Sequence, residues 1–223
     1  MGNGLAADDA ALDEMAHARR RVRHGEFLYR AGDPFQSLFA IRSGFFTSRV
    51  LLENGREQVT GFHMAGEMLG LDDIGATAHT SDVVALEYGE VYAIARSRLD
   101  EAGMQRRLAA AMSRTLARHR DMMLLLGSMR AEERLAAFLL DLSRRLDAGG
   151  VSPGEFHLRM TRAEIGSYLG LSLETVSRLF SRFQAHQLIA VQQRHVRLLD
   201  IVGLKAVGGG DAKLGPARAG VSC

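Results

Sequence analysis

The stretch TRAEIGSYLGLSLETVSRLFSRF, residues 161–183, holds two short amphipathic helical patterns on either side of a Gly-Leu-Ser break. Thr161 followed three residues later by Glu164 is the signature of a capping box, which fixes the start of a helix. Gly170 tolerates the left-handed conformation that ends a helix, and Ser172 is a residue type that caps the next one. The chain is therefore predicted to fold here into two helices joined by a tight turn.

The second predicted helix has one apolar and one polar face. Its apolar face consists of Val176, Leu179, Phe180 and Phe183. In a helix-turn-helix, the N-terminal residues of the second helix meet base edges in the major groove, where arginine matches guanine and glutamate accepts a hydrogen bond from cytosine. The alternative is an ordinary helical hairpin whose polar face is solvated. The residues expected to contact double-stranded DNA are Thr161, Arg162, Ser172, Glu174, Thr175, Ser177, Arg178 and Arg182.

The segments on both sides of this stretch carry strand patterns. Residues 156–160, FHLRM, predict a short strand, and residues 188–200, LIAVQQRHVRLLD, alternate around a polar centre as a β-hairpin does. A hairpin in this place forms the wing of a winged helix, which lies against the DNA backbone. From Glu26 to Ile94, short apolar or alternating runs are divided by glycines at positions 32, 44, 55 and 66, which predicts an all-β sandwich or roll.

A long helix is predicted between these two regions. Its apolar positions alternate at steps of four and three residues, which is the heptad pattern of a coiled coil. Arginines flank the stripe and would stay in water, so two chains are expected to pair in parallel as a homodimer. The alternative is one helix packed on its own domain. The predicted dimer interface consists of Leu108, Met112, Thr115, His119, Met122 and Leu126.

Composition and charge agree with a nucleic-acid partner. The chain has 223 residues and 47% hydrophobic content, enough for one large or two modest domains with packed cores. Its net charge of +2 conceals an asymmetry, since residues 152–223 carry nine Arg and Lys against five Asp and Glu, and residues 1–151 carry nineteen against twenty-one. The basic end holds the helix-turn-helix pattern, which supports binding to DNA.

Several classes of protein are disfavoured by what the sequence lacks. The N-terminal residues do not resemble a signal peptide and no apolar run approaches the ~20 residues of a membrane span, so a cytoplasmic protein with no membrane partner is expected. The single cysteine, Cys223, excludes internal disulfides and thiolate metal clusters held by one chain. No Ser-His-Asp order, metal-ligand spacing or phosphate loop points to catalysis, so the protein is not expected to be an enzyme.

The motifs together resemble the CRP/FNR superfamily of bacterial transcription regulators, and within it the fumarate and nitrate reduction (FNR) branch. AEERLAAFLLDLSRRL, EFHLRMTRAEIGSYLGL and ETVSRLFSRFQ are similar to the DNA-binding domain of that branch, while LFAIRSG, EQVTGFHMAGE and ALE are similar to its β-roll. The most specific element is ETVSR. The resemblance implies an α+β protein with an N-terminal cyclic-nucleotide-binding-type β-roll, a long dimerisation helix and a C-terminal winged helix-turn-helix.

The resemblance also implies boundaries and partners. The expected segments are an N-terminal segment (1–24), a β-roll sensor or effector domain (25–101), the dimerisation helix (102–128), the DNA-binding domain (129–201) and a flexible tail (202–223). Glu174, Ser177 and Arg178 are expected to read a palindrome of the form TTGAT-N4-ATCAA. Residues 56–67, REQVTGFHMAGE, are expected to offer a surface to RNA polymerase, and hence to support activation.

The chain departs from the family at the positions that hold effectors. Nucleotide-binding relatives hold the cyclic phosphate with an arginine after a Gly-Glu pair, but residues 57–95 contain no Arg or Lys, so cAMP binding is not expected. Oxygen-sensing relatives hold an iron-sulfur cluster with cysteines that are absent here, where Tyr92 stands at the β-roll position, so no such cluster is expected. The alternative is a regulator that senses haem or another small molecule. The candidate haem ligands are His17, His24, His63 and His79.

Overall fold

The computed structural model of the chain describes residues 18–148 and 154–208. Within them the α+β architecture is as predicted, with a β-rich N-terminal domain, a long helix and a C-terminal helix-turn-helix domain. The chain divides into two compact units between Leu116 and Ala117. In the described ranges, no helix is both long and apolar enough to cross a bilayer.

The first unit is built mainly from strands, and the second mainly from helices. The strands of the first unit are β1 (Ala18–Val22), β2 (Phe27–Tyr29), β3 (Ser37–Ser43), β4 (Phe45–Leu51), β5 (Glu57–Met64), β6 (Met68–Leu69), β7 (Asp82–Ala85) and β8 (Gly89–Ala95). Helix α1 (Ala102–Ser128) follows them and continues into the second unit. The remaining elements are α2 (Ala131–Ala148), β9 (Glu155–His157), α3 (Arg162–Leu169), α4 (Leu173–Ala185), β10 (Ile189–Gln192), β11 (His195–Leu198) and α5 (Ile201–Val207).

The strands of the first unit form two four-stranded antiparallel sheets. Their strand orders are β1-β8-β3-β6 and β2-β7-β4-β5. Side chains alternate between the two faces of a strand, so each sheet presents one apolar face to a shared core. That core consists of Val22, Leu28, Tyr29, Phe39, Ile41, Phe46, Leu69, Val83, Ala85, Val91 and Ala93.

The N-terminal half of helix α1 takes part in a second core of the first unit. Met104, Leu108 and Ala111 of the helix cluster with residues of β3 and β8, among them Ile94 and Tyr92. Tyr92 is 2% exposed. The residue at the position where oxygen-sensing relatives were expected to carry a cysteine is therefore part of a packed apolar core.

The second unit builds a helix-turn-helix beside a small antiparallel sheet of strand order β10-β11-β9. Phe180 and Phe183 of α4 and Ile189 and Val196 of the sheet are almost completely buried. Helix α5 packs on α2 and buries Leu204. The strand before the first helix and the hairpin after the second are both present, as the sequence predicts.

Two elements fall outside the predicted domain boundaries. Strand β1 lies within the predicted N-terminal segment, seven residues before the expected start of the roll at residue 25, and pairs with β8 from Ala18 to Val22. Its three arginines are exposed and only Val22 is buried, so the strand carries no apolar alternation to reveal it. Helix α5 begins at the last residue of the predicted DNA-binding domain and continues into the predicted flexible tail. Asp200 caps it by accepting a hydrogen bond from the Gly203 N–H at 2.8 Å. The rest of the predicted terminal segments, residues 1–17 and 209–223, lies outside the described residues.

Leu108, Thr115 and Met122 of the predicted dimer interface lie on the face of α1 that packs within its own chain. Leu108 is 7% exposed and belongs to the second core of the first unit. Met122 lines a cleft with Leu125 and Phe138, and Thr115 is half-buried. These three positions are seven residues apart and form the inner row of the helix.

A second row of α1, shifted by one residue from the inner row, is exposed to water. Leu116 and Met123 are 67% and 69% exposed, and Met112 and Leu126 lie beside them at 39% and 38%. Ala109 and His119 complete steps of three and four residues along this face. The exposed seam of α1 is therefore Ala109, Met112, Leu116, His119, Met123 and Leu126. It shares Met112, His119 and Leu126 with the predicted dimer interface.

A buried polar cluster lies in the segment that follows β6. Asp73 is fully buried, and its carboxylate accepts hydrogen bonds from the Thr80 N–H at 2.9 Å and the Thr80 hydroxyl at 2.7 Å. His79 Nδ1 lies 2.7 Å from the other carboxylate oxygen, and since an ionised carboxylate only accepts, Nδ1 carries the proton. The His79 ring stacks on Tyr29 at 3.7 Å. Burial, followed by the charges of Asp72 and Asp73, raises the pKa of Tyr29 well above its ordinary value.

We predict that Asp73→Ala lowers the free energy of unfolding by about 3 kcal/mol, because it leaves the buried His79 donor without its acceptor and removes both hydrogen bonds from Thr80. The matched control is Asp72→Ala, since Asp72 is exposed and the change there should cost less than about 0.5 kcal/mol. Urea unfolding of the two variants and the wild type measures the difference. Equal losses in both variants would contradict a stabilising role for the cluster.

Candidate nucleic-acid interface

The first helix of the helix-turn-helix begins at the predicted capping box. Thr161 Oγ1 accepts from the Glu164 N–H at 3.2 Å, and a Glu164 carboxylate oxygen accepts from the Thr161 N–H at 2.7 Å. The helix ends at Gly170, whose φ of 65° and ψ of 38° are left-handed. Residues other than glycine rarely adopt this backbone conformation. Gly170 therefore fixes the angle at which the chain turns toward α4.

Helix α4 begins at the predicted cap and has the predicted buried face. Ser172 Oγ accepts a hydrogen bond from the Thr175 N–H at 3.1 Å. Val176, Leu179, Phe180 and Phe183 are buried, and each of them was expected on the apolar side. The opposite face, at the N-terminal end of the helix, is therefore the one that is open to a ligand.

The open face brings together five of the predicted DNA-contacting residues, Ser172, Glu174, Thr175, Ser177 and Arg178. Glu174 and Arg178 are exposed, and an Arg178 nitrogen lies 3.4 Å from Thr175 Oγ1. Hydrogen bonds from its own N–H and from Ser172 lower the pKa of Glu174, with a smaller contribution from the Arg178 charge. A carboxylate acceptor and a guanidinium donor thus stand side by side, which is the chemistry that reads cytosine and guanine edges.

The other three predicted contact residues are engaged within the domain. Thr161 serves the capping box, and the Arg162 guanidinium lies over the Phe180 ring, 4.8 Å from its centroid. Arg182 forms an ion pair with Glu132 of α2. Surface ion pairs contribute only about 0–1 kcal/mol, so a DNA phosphate can compete for Arg182.

The wing presents cations that were not among the predicted contact residues. Gln193 and Arg194 form the turn between β10 and β11, and Arg194 is exposed there. Gln193 has a φ of 57°, the left-handed conformation that such two-residue turns require. The alternation on either side already located this turn in the sequence, so Arg194 could have been included on that signal.

The predicted haem ligands that the structure describes are mostly engaged in internal contacts. His63 Nε2 lies 2.9 Å from Ser48 Oγ, and His79 belongs to the buried Asp73 cluster, whereas His24 is exposed and His17 lies outside the described residues. Over residues 18–148 and 154–208, no three His, Cys, Asp or Glu side chains are arranged to hold a metal ion.

Family models match both parts of the chain. Residues 19–106 match the cyclic nucleotide-binding domain, and residues 133–207 match the Crp-like helix-turn-helix domain. The second match includes the whole open face of α4 described above. The two matches fall on the β-rich domain and on the helix-turn-helix domain.

Individual proteins are similar over most of the chain. The transcriptional regulatory protein btr of Bordetella pertussis is 45% identical over 91% of this chain and 86% of its own length. The transcriptional activator protein Anr of Pseudomonas protegens is 44% identical over 92% of this chain and 86% of its own length. The solved structure of FixK2 from Bradyrhizobium japonicum superposes with a TM-score of 0.77 at 32% identity, covering 85% of this chain and 96% of that one. The fold, the helix-turn-helix and these similarities together establish that the chain belongs to the CRP/FNR family of DNA-binding transcription regulators.

Proposed function

We propose that this chain is a homodimeric transcription activator of the FNR type that binds palindromes of the form TTGAT-N4-ATCAA. The observation that carries the proposal is the open face at the start of α4, where Glu174 and Arg178 are exposed beside a fixed helix cap. The first turns of the second helix are the part of a helix-turn-helix that reaches base edges. The similarity of ETVSR to the FNR branch supports this particular palindrome.

Arg178 is the residue best suited to discriminate between bases. Its contact with Thr175 Oγ1 is long, at 3.4 Å, so the guanidinium can turn to a guanine edge at little cost. An ionised carboxylate accepts from cytosine N4, and the lowered pKa of Glu174 favours that form. We expect Ser177 to contribute through its hydroxyl.

The exposed seam of α1 supports the homodimer. Leucine and methionine side chains at heptad spacing, left in water in the single chain, gain free energy when a second copy covers them. A dimer with two-fold symmetry presents two recognition helices about one turn of DNA apart, as a palindrome requires. Activation requires contact with RNA polymerase, for which we propose the exposed side of residues 56–67, and we propose that the protein acts in the cytoplasm.

We propose that neither cAMP nor an iron-sulfur cluster is the effector. A cyclic phosphate requires a cationic partner when it is buried, and residues 57–95 contain no Arg or Lys. An iron-sulfur cluster requires about four thiolates, and the chain has only Cys223. A haem or another small molecule remains the second candidate for the signal. We propose no catalytic role.

We predict that Arg178→Ala lowers the preference for the palindrome over a scrambled duplex by at least about tenfold, because one bidentate base contact is worth about 1–3 kcal/mol. Arg178→Lys keeps the charge without the planar fork, so it should lose the preference while it retains non-specific binding. Fluorescence anisotropy titrations with both duplexes measure the two quantities.

The matched control for this prediction is Arg56→Ala, which removes an exposed arginine from the β4–β5 hairpin. It should leave the preference for the palindrome within about twofold of the wild type, in line with the small effect of most surface changes. If Arg178→Ala discriminates between the duplexes as well as Arg56→Ala does, Arg178 does not read bases.

We predict that Leu116→Glu raises the dissociation constant of the dimer at least about a hundredfold, because like charges brought together at an interface cost several kcal/mol. Leu124→Glu is the matched control, since Leu124 is 59% exposed on the same helix but lies off the seam. Sedimentation equilibrium of the three proteins tests this. A wild type that is monomeric, or a Leu116→Glu protein as dimeric as the control, would refute the seam.

A further inference from the structure

Arg134 lies in the first turn of α2, where it bonds to the ends of two other helices. Its Nη2 donates to the Leu126 carbonyl at 2.8 Å, in the last turn of α1, and its Nε to the Met129 carbonyl at 2.9 Å, just after that helix. Its Nη1 donates to the Leu169 carbonyl at 3.1 Å, at the end of α3. All three nitrogens of one planar guanidinium are therefore engaged with backbone carbonyls, two of them at the break between α1 and α2 and the third 35 residues away.

The carbonyls at the end of α1 are available because the helix is interrupted there. A continuing helix would direct the Arg130 N–H to the Leu126 carbonyl. That N–H instead donates to the Glu133 carboxylate at 2.8 Å, which begins α2. The last carbonyls of a helix lack helical donors, and Arg134 supplies one to Leu126 and another to Met129, which follows the helix.

The carbonyl at the end of α3 is available for a similar reason. Beyond Leu169 the chain turns at Gly170, and the Gly170 and Leu171 N–H groups point back to carbonyls earlier in α3. A side chain at position 170 would bring its Cβ to 3.4 Å from Arg134 Nη1 and 3.6 Å from Leu126 Cδ2. The turn that leads into α4 thus lies close to the Arg134 guanidinium, here called the fork, and to the end of α1.

An arginine that satisfies helix carbonyls is by itself an ordinary stabilising cap. The arrangement here differs because one rigid fork joins the helix that carries Leu126 of the seam to the helix whose end leads into the recognition helix. Lysine, a single flexible point charge, cannot hold three carbonyls in one plane. The fork therefore fixes where α4 starts relative to the C-terminal half of α1.

We propose that Arg134 is a positioning residue for DNA recognition, which sets the separation of half-sites that the dimer accepts. This inference rests on the proposed function, since it requires a seam-paired dimer whose two α4 helices occupy two half-sites. Arg134 touches no DNA in this role. Its effect is therefore on the affinity for DNA that carries two half-sites, and not on the affinity for a single half-site.

The test uses the full-length chain and the variants Arg134→Met and Arg134→Lys. Their affinities are measured for a single half-site and for palindromes with three, four or five central base pairs. Arg134→Met should bind the single half-site within about twofold of the wild type, while its preference for the four-base-pair spacer falls about tenfold, as expected from the loss of a charge-assisted hydrogen bond. Arg134→Lys should lie between Arg134→Met and the wild type.

Arg130→Met is the matched control, because Arg130 is an exposed arginine between α1 and α2. Its backbone N–H donates to Glu133, and the substitution does not remove that bond. It should keep the wild-type spacer preference. An Arg134→Met protein that keeps the spacer preference, or that loses affinity for the half-site as much as for the palindrome, would overturn the positioning role. If Arg134→Met does not fold, the same two outcomes are judged on Arg134→Lys.

A readout without DNA separates this inference from the proposed function. In the free protein, amide hydrogen exchange at residues 170–173 and in the last turn of α1 should rise together in Arg134→Met and stay unchanged in Arg130→Met. Unchanged exchange at either end would overturn the link. A wild type that ignores the palindrome, with the exchange result as expected, would refute the proposed function and leave the fork as a link between α1 and α3.

Discussion

The rest of the structure depends on helix α1 having two apolar rows, one buried by its own chain and one left in water. The buried side of the helix, with Met104 and with Leu108 of the inner row, completes the second core of the first unit. The outer row exposes Leu116 and Met123. Fully burying a side chain of this size contributes about 1.5–3 kcal/mol, so covering the outer row would favour the proposed pairing of two chains. The same helix therefore links the folding of the first unit to the proposed pairing of two chains.

Helix α4, the proposed recognition helix, is positioned by both local and distant interactions. Its start is set locally, by the Ser172 cap and the left-handed Gly170. Its surroundings are set by distant groups, because Glu132 of another helix pairs with Arg182. The polar face is consequently uneven, with Arg178 open to a base and Arg182 held until a phosphate competes for it. A helix drawn from its sequence alone would show the two arginines as equivalent.

The β-roll shows why a shared fold does not imply a shared ligand. It matches the cyclic nucleotide-binding domain from residue 19 to 106. Its buried carboxylate, Asp73, is nevertheless satisfied by Thr80 and His79 of the same segment, and Tyr92 is packed among apolar side chains. The match to the cyclic nucleotide-binding domain therefore does not by itself assign an effector to this chain.

The sequence by itself determined the fold class, the capping box, the turn at Gly170, the buried face of α4 and the wing. Each of these depends on residues a few positions apart, so composition and spacing carry the information. Tertiary structure decided which heptad row of α1 faces water, because the rows through Leu108 and Leu116 are both apolar and only the β-roll packed on one of them distinguishes the two. It also revealed β1, which has no apolar alternation, and the fork of Arg134, whose acceptor Leu169 is 35 residues away. Contacts between residues far apart in the chain produce no periodic pattern in the sequence, so only the folded structure reveals them.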